Sequence, residues 1–85
     1  MKIVAKFTSS VVHDGVPSYF FILAISPPFP AGEPTYGIFI PDTGQTETEI
    51  LAQMQAMAVE TANAKRVMWG MPGNLNITDI RGGTM

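Results

Sequence analysis

The first half of the chain follows the two-residue period of β-strands. In residues 2–12, the odd positions from Ile3 to Val11 fall on one face, and both lysines of the segment fall on the other. This alternation is typical of a half-buried strand. The Asp-Gly pair at 14–15 tolerates the positive φ angles of a tight hairpin turn. Residues 19–25 are aromatic and β-branched, which predicts a second strand that is largely buried.

A proline-rich segment separates this hairpin from a third strand. Residues 26–34 contain four prolines, which fix backbone angles and remove amide donors, so we expect an ordered, extended loop. Residues 36–40 are again β-branched and aromatic, and Pro41 ends them. Three consecutive strands with short connections predict an antiparallel meander.

The period then changes to that of a helix. Thr46 and Glu49 have the spacing of a capping box, so we expect the helix to begin at residue 46. Apolar residues recur at helical spacing as far as residue 63, with polar residues away from them. The basic pair at 65–66 suits the negative end of the helix dipole. The pattern therefore predicts one helix over residues 46–63.

The last part of the chain predicts a second hairpin. Residues 67–69 have the composition of a short strand, and the Pro-Gly pair at 72–73 suits a type II turn. Residues 75–80 alternate as a final strand, with imperfect parity. We expect a single domain over residues 1–81, followed by a flexible tail at 82–85.

The predicted element order β-β-β-α-β-β defines the expected fold class. It is the order of an OB-fold, a five-stranded, partly open barrel with a helix between its third and fourth strands. The same elements also fit an open antiparallel sheet with one helix packed on a face. We expect a mainly β or α+β domain, with the OB-like barrel as the first choice.

Composition indicates that the chain associates with itself. An 85-residue chain leaves much of its surface exposed, and this one is 46% hydrophobic but only 14% charged. No charged residue lies within 15–32 or within 67–78, so we expect the subunit contact in residues 20–30 or 67–80. The interface candidates are Phe20, Ile22, Phe29, Met68 and Met71.

The second half of the chain resembles the B subunits of bacterial AB5 toxins. The similar stretch, residues 36–80, has a strand ending at Pro41, a long helix, the Ala-Lys-Arg-Val-Met-Trp run at 64–69 and a final strand containing isoleucine. The resemblance implies a pentameric, glycan-binding OB-fold in which Trp69 stacks on a sugar. Here residues 70–72 are Gly-Met-Pro instead of polar, and the chain has no cysteine for the family's disulfide.

Trp69 and Asn74 are the candidate ligand-binding residues. A tryptophan next to the turn at 70–74 would be partly exposed and could form a sugar platform. The alternative is structural, with Trp69 packed on the helix or against a second subunit. The partner would then be a glycan or another protein subunit.

The sequence has few residues that could support catalysis or bind a metal ion or a cofactor. His13 is the single histidine, and its neighbour Asp14 lies in the same turn. Glu47 and Glu49 are two positions apart on a helix and face different ways, so they are not a catalytic pair. With no cysteine and one histidine, no transition-metal site is expected. We expect no enzyme activity, no metal site and no cofactor.

Nucleic-acid binding is the alternative function. Lys2 and Lys6 share one face of the first strand, and the chain has aromatic residues that could stack on bases. Five basic residues and a net charge of −2 give little counterion release, however. A third possible function is inhibition of another protein.

No signal peptide or membrane-spanning segment is evident in the sequence, so we expect a cytoplasmic protein without membrane insertion. The alternative is a mature secreted protein whose signal peptide has been removed.

Overall fold

A computed structural model describes residues 2–26, 35–82 and 85 of the chain. Three strands are followed by a helix, a short 3₁₀ helix and a fourth strand: β1 Lys2–His13, β2 Val16–Ser26, β3 Thr35–Pro41, α1 Glu47–Met68, the 3₁₀ helix Ile77–Asp79 and β4 Ile80–Gly82. The four strands form one mixed sheet in the order β3-β2-β1-β4. The first two strand pairs are antiparallel, as predicted, whereas β4 runs parallel to β1.

The core lies between the sheet and the helix. Paired residues such as Ile3 with Ile25 and Phe21 with Ile38 project to the same side of the sheet, here called the inner face. All four are buried. In β1 the predicted alternation holds as far as Phe7, with Ile3 and Ala5 buried on the inner face.

Helix α1 covers the inner face with a narrow stripe of residues four apart. The stripe is Ile50, Met54, Ala58, Ala62 and Arg66, and each of them is buried. Residues at this spacing lie above one another on a helix. Because the third and fourth of these residues are alanines, the helix axis can approach the sheet closely.

The predicted capping box is confirmed and begins the helix. The Glu49 amide donates to the Thr46 hydroxyl at 3.2 Å, and the Thr46 amide donates to the Glu49 carboxylate at 2.9 Å. Hydrogen bonds from the Thr46 backbone amide and then its side chain hold the pKa of Glu49 below the ordinary value of a glutamate. Charged Glu49 therefore stabilises the start of α1.

This pKa shift predicts a pH-dependent stability. Because the pKa of Glu49 is lower in the folded state than the ordinary value of 4.5, its contribution is complete above that ordinary value and is lost as the pH falls through the folded-state pKa. Glu49→Gln keeps an acceptor but has no charge to lose. From pH 7 to pH 3, we expect the wild-type melting temperature to fall further than that of the variant. Glu47→Gln, in the same turn but outside the capping box, should follow the wild type.

The predicted strand at residues 67–69 is wrong, because the helix continues to Met68. No helix-breaking residue occurs before Gly70, whose φ is +75°. The Met71 amide donates to the Arg66 carbonyl at 2.8 Å, and the Gly70 amide donates to the Val67 carbonyl at 3.0 Å. These bonds form a Schellman motif, which requires a left-handed residue after the C-cap. Gly70 therefore ends the helix five residues later than the apolar pattern predicts.

The predicted strand over residues 75–80 is also wrong. The Asn63 side chain donates to the Leu75 carbonyl at 2.9 Å and accepts from the Leu75 amide at 2.8 Å. The Asn76 side chain accepts from the Thr78 amide, which begins the 3₁₀ helix. Side chains thus satisfy backbone groups that a strand would have paired. Only residues 80–82 of this region pair as a strand. Gly82 therefore belongs to the sheet and not to the flexible tail predicted for residues 82–85.

The five-stranded barrel is not confirmed. Over the described residues the sheet has four strands and is not closed. The chain is an α+β fold with an open sheet and one helix on one face, close to the alternative architecture. That alternative is corrected in one respect: the sheet is mixed, because β4 is parallel to β1. The proline-rich segment and Phe29 lie outside the described residues.

Candidate interaction surface

The side of the sheet that faces away from α1 is the candidate site, and we call it the outer face. Strand pairing assigns its members, because directly paired residues project to the same side. The helix covers only the inner face. The outer face includes Val4, Lys6, Ser9, Val11, His13, Phe20, Ile22, Ala24, Gly37, Phe39 and Arg81.

A β-bulge in β1 changes which residues reach the outer face. The register shifts between Phe7 and Ser9, so that Phe7 pairs with Phe21 and Ser9 pairs with Phe20. The extra residue reverses the side-chain parity of the rest of the strand. Val11 therefore lies on the outer face, whereas the sequence pattern placed it together with Ile3.

Three aromatic rings form a stack on the outer face. The Phe20 and Phe39 ring centroids are 4.8 Å apart at an interplanar angle of 18°, and His13 stacks on Phe39 at 3.8 Å and 6°. The Phe20 ring leans over Gly37, where a Cβ atom would lie 2.9 Å from the ring carbon Cε1. Gly37 therefore lets the ring lie flat against β3.

Apolar and charged groups are segregated across the outer face. Phe20, Phe39 and Ile22 lie on β2 and β3, whereas Lys6 lies on β1 and Arg81 on the neighbouring β4. Both cations are exposed. Arg81 is partly anchored, because its Nη1 donates to the Thr78 carbonyl at 2.8 Å. The face thus has an apolar side with a positive border.

The structure separates the residues that the sequence singled out. Phe20 and Ile22 lie together on the outer face, whereas Met68 is 72% exposed at the end of α1. Trp69 and Met71 are partly buried and pack against the core, and Asn74 is exposed in the loop that follows. The interface candidates therefore belong to two separate regions, and Trp69 is in the second.

Sequence reasoning missed Phe39, His13 and Val4 as members of this surface. Phe39 and Phe20 are cross-strand partners, so the signal was available once the second and third strands were aligned. The side of His13 depends on the bulge, which has no clear local signal in the sequence. Val4 lies between the buried residues Ile3 and Ala5, so its place on the opposite face could be predicted from the alternation.

Outside the outer face, the described residues form fewer features that could bind a ligand. They contain no group of three or more histidine, cysteine or acidic residues that could hold a metal ion. A groove of about 400 Å³ lies between the end of β3 and α1, next to Met57. The Gln45 amide closes one side by donating to Gln53 at 3.1 Å and to the Pro41 carbonyl at 2.8 Å.

Comparison with known proteins supplies no functional assignment. No protein-family model, no curated protein and no solved structure matches the chain. Within residues 2–26 and 35–82, no helix is long and apolar enough to cross a membrane. The outer face is therefore the feature on which a function can be based.

Proposed function

We propose that the chain is a non-catalytic assembly protein that associates with copies of itself through the outer face. The observation that carries the proposal is the apolar character of this face. A sheet covered on one side normally has polar residues on the other. Here Phe20, Ile22 and Phe39 occupy the uncovered side of the two strands farthest from β4, and Ile22 is 37% exposed.

The size of the face fits a small contact between subunits. The four strands have 12, 11, 7 and 3 residues, and at about 3.3 Å per residue and about 4.8 Å between strands they cover roughly 500 Å². A standard interface takes about 800 Å² of accessible surface from each partner. Two such sheets would pack about 10 Å apart with interdigitating side chains.

The distribution of charge suits a two-fold contact. A symmetric dimer places the same patch on both subunits. If the axis passes near Ile22 and Phe39, apolar groups meet at the centre of the interface. Arg81, on the strand farthest from the axis, then lies at the rim and stays hydrated. Lys6 pairs directly with Ile22, so its stem lies beside the apolar centre and its ammonium group has to extend toward the rim.

The test is the mass of the chain in solution after the apolar centre is made charged. We expect wild-type protein at micromolar concentration to have at least twice the mass of one chain by light scattering. Ile22→Lys should have no more than half of the wild-type mass at the same concentration, with an unchanged far-UV circular dichroism spectrum, because burying unpaired ammonium groups is costly. The side chain is on the surface, so the fold should tolerate the change.

Met68→Lys is the matched control. Met68 is more exposed than Ile22 but lies at the end of α1, so this variant should keep the wild-type mass. A monomeric wild type would refute the proposal. Loss of association in Met68→Lys with full association in Ile22→Lys would move the contact to the C-terminal region.

Single-strand nucleic-acid binding is a second candidate that uses the same face. A four-stranded sheet with exposed aromatic rings is one way in which proteins stack on unpaired bases, and Lys6 could contact a phosphate. The net charge of −2 and the engagement of Phe39 with two other rings count against it. Titration of a fluorescent oligonucleotide at low salt tests it: binding that Phe39→Ala abolishes would support this function.

A further inference from the structure

The free edge of β3 has a defined set of hydrogen-bonding groups. The Asp42 amide donates to the Pro17 carbonyl at 2.9 Å, and these residues continue the β2–β3 register in which Ser18 faces Pro41. Hydrogen-bonded pairs alternate along antiparallel strands. Residues 36, 38 and 40 therefore direct their amides and carbonyls to β2, and residues 35, 37 and 39 direct theirs outward.

This edge has little of the protection that edge strands normally have. No strand of the described residues pairs with its outer side. None of its seven residues is charged, and only Pro41, at its end, lacks an amide hydrogen. The opposite edge of the sheet differs, because β4 has three residues, one of them Arg81. Short edges and charges are common devices against unwanted strand pairing.

We infer that β3 pairs with β3 of a second copy in an antiparallel, two-fold arrangement that continues the sheet across both subunits. With the axis at Gly37, Thr35 of each copy faces Phe39 of the other. Every outward amide of residues 35, 37 and 39 then meets a carbonyl. The register leaves Pro41, which has no amide hydrogen, outside the paired stretch.

Side chains and charge are compatible with this pairing. On the outer face, the residues on the axis are two glycines, so no side chains collide there. On the inner face, Tyr36 of one copy lies opposite Ile38 of the other, and Tyr36 is only partly buried within one chain. The absence of charge on β3 means that two identical edges do not repel each other.

The edge contact goes beyond the proposed outer-face association and does not depend on it. Each contact is isologous, so each alone gives a dimer. A chain that has both can form a tetramer or an open array. The two contacts can be separated by variants, since Ile22 is on the face and Thr35 is at the start of the edge.

Amide hydrogen exchange in the full chain tests the edge contact directly. The readout is the exchange rate of the Gly37 and Phe39 amides in concentrated and in dilute, monomeric protein. We expect both to exchange at least about tenfold more slowly in the concentrated sample, equivalent to ~1.4 kcal/mol of protection. Ile38 and Ile40 are internal references, because their amides are bonded to β2 at either concentration.

Thr35→Pro is the corresponding variant. It removes an outward amide and leaves the β2–β3 hydrogen bonds in place, so Gly37 should lose its concentration-dependent protection. Glu47→Pro is the matched control, because residue 47 is the first position of α1, where the amide has no partner within the helix and proline is well tolerated. Ile22→Lys should keep the protection of Gly37 at high concentration.

Three outcomes would overturn the edge contact. One is fast exchange of Gly37 in a sample that light scattering shows to be associated, which leaves outer-face association intact. Another is protection of Gly37 that is equally strong in the monomer, since another segment of the same chain would then cover the edge. The third is a wild type that stays monomeric at every concentration, which refutes both contacts.

Discussion

Phe21→Ala is expected to lower the free energy of unfolding by about 3–5 kcal/mol, a large share of the total. Phe21 is fully buried in β2, and its ring contacts Phe7 edge to face at a centroid distance of 5.4 Å. Truncation of a buried phenylalanine costs about 3–5 kcal/mol. A chain of 85 residues has a total stability of about 4–13 kcal/mol. The measurement is urea denaturation followed by circular dichroism.

The neighbouring variant Ile22→Ala is the control. Ile22 is on the same strand but on the outer face, where it is 37% exposed. Below the concentration at which the chain associates, the variant should lose about 1 kcal/mol or less, because little buried surface is removed. If Ile22→Ala were as destabilising as Phe21→Ala, the outer face would be covered within a single chain. That result would refute outer-face association.

Asn63→Leu is expected to be the second most damaging change. The Asn63 amide group holds both backbone groups of Leu75, and the Leu75 side chain is buried. Leucine fills a similar volume but leaves the Leu75 amide and carbonyl without their partner. Each unsatisfied group costs about 1–3 kcal/mol, so we expect a loss of about 2–6 kcal/mol in urea denaturation.

Asn63→Asp separates the two hydrogen bonds. At pH 7 a carboxylate still accepts from the Leu75 amide, but it places a negative charge next to the Leu75 carbonyl. The variant should therefore also be destabilised at pH 7, and acidification should reduce its deficit relative to the wild type as the carboxyl gains a proton to donate. Asn74→Ala, which changes an exposed asparagine in the same loop, should be nearly neutral. Similar losses for Asn63→Leu and Asn74→Ala would show that the Asn63 contact contributes nothing specific.

The elements that could be predicted from the sequence are those with local signals. The meander follows from period-two alternation and the Asp-Gly turn, where Asp14 and Gly15 both have positive φ. The start of α1 follows from Thr46 and Glu49, which lie within one turn of each other. In each case the residues that determine the structure are neighbours in the chain.

The C-terminal errors arise from interactions between distant residues. Alternation in residues 75–80 is typical of a strand, but the hydrogen bonds of Leu75 go to a side chain twelve positions earlier. The end of α1 depends on the conformation of Gly70 rather than on the apolar pattern. β4 pairs with β1 at the other end of the chain, and a periodic pattern does not specify parallel or antiparallel direction.

The candidate surface could be predicted in part. Low charge pointed to the segment that contains Phe20 and Ile22, and both lie on the outer face. Which residues lie on the outer face depends on the register of three strands and on the bulge after Phe7. Both the register and the bulge are defined only in the folded chain. The uncharged edge of β3 follows from its sequence, but its position at the border of the sheet does not.

The pairing of β4 with β1 has a consequence for the order of events during synthesis. Ile3 pairs with Ile80, so the N-terminal strand receives its second neighbour from residues that leave the ribosome more than seventy positions later. Until then the β1–β2–β3 meander can form, but its β1 edge has no strand beside it. Both borders of the sheet are therefore open while residues 42–80 are being synthesised, and a chaperone that shields strand edges would act in that interval.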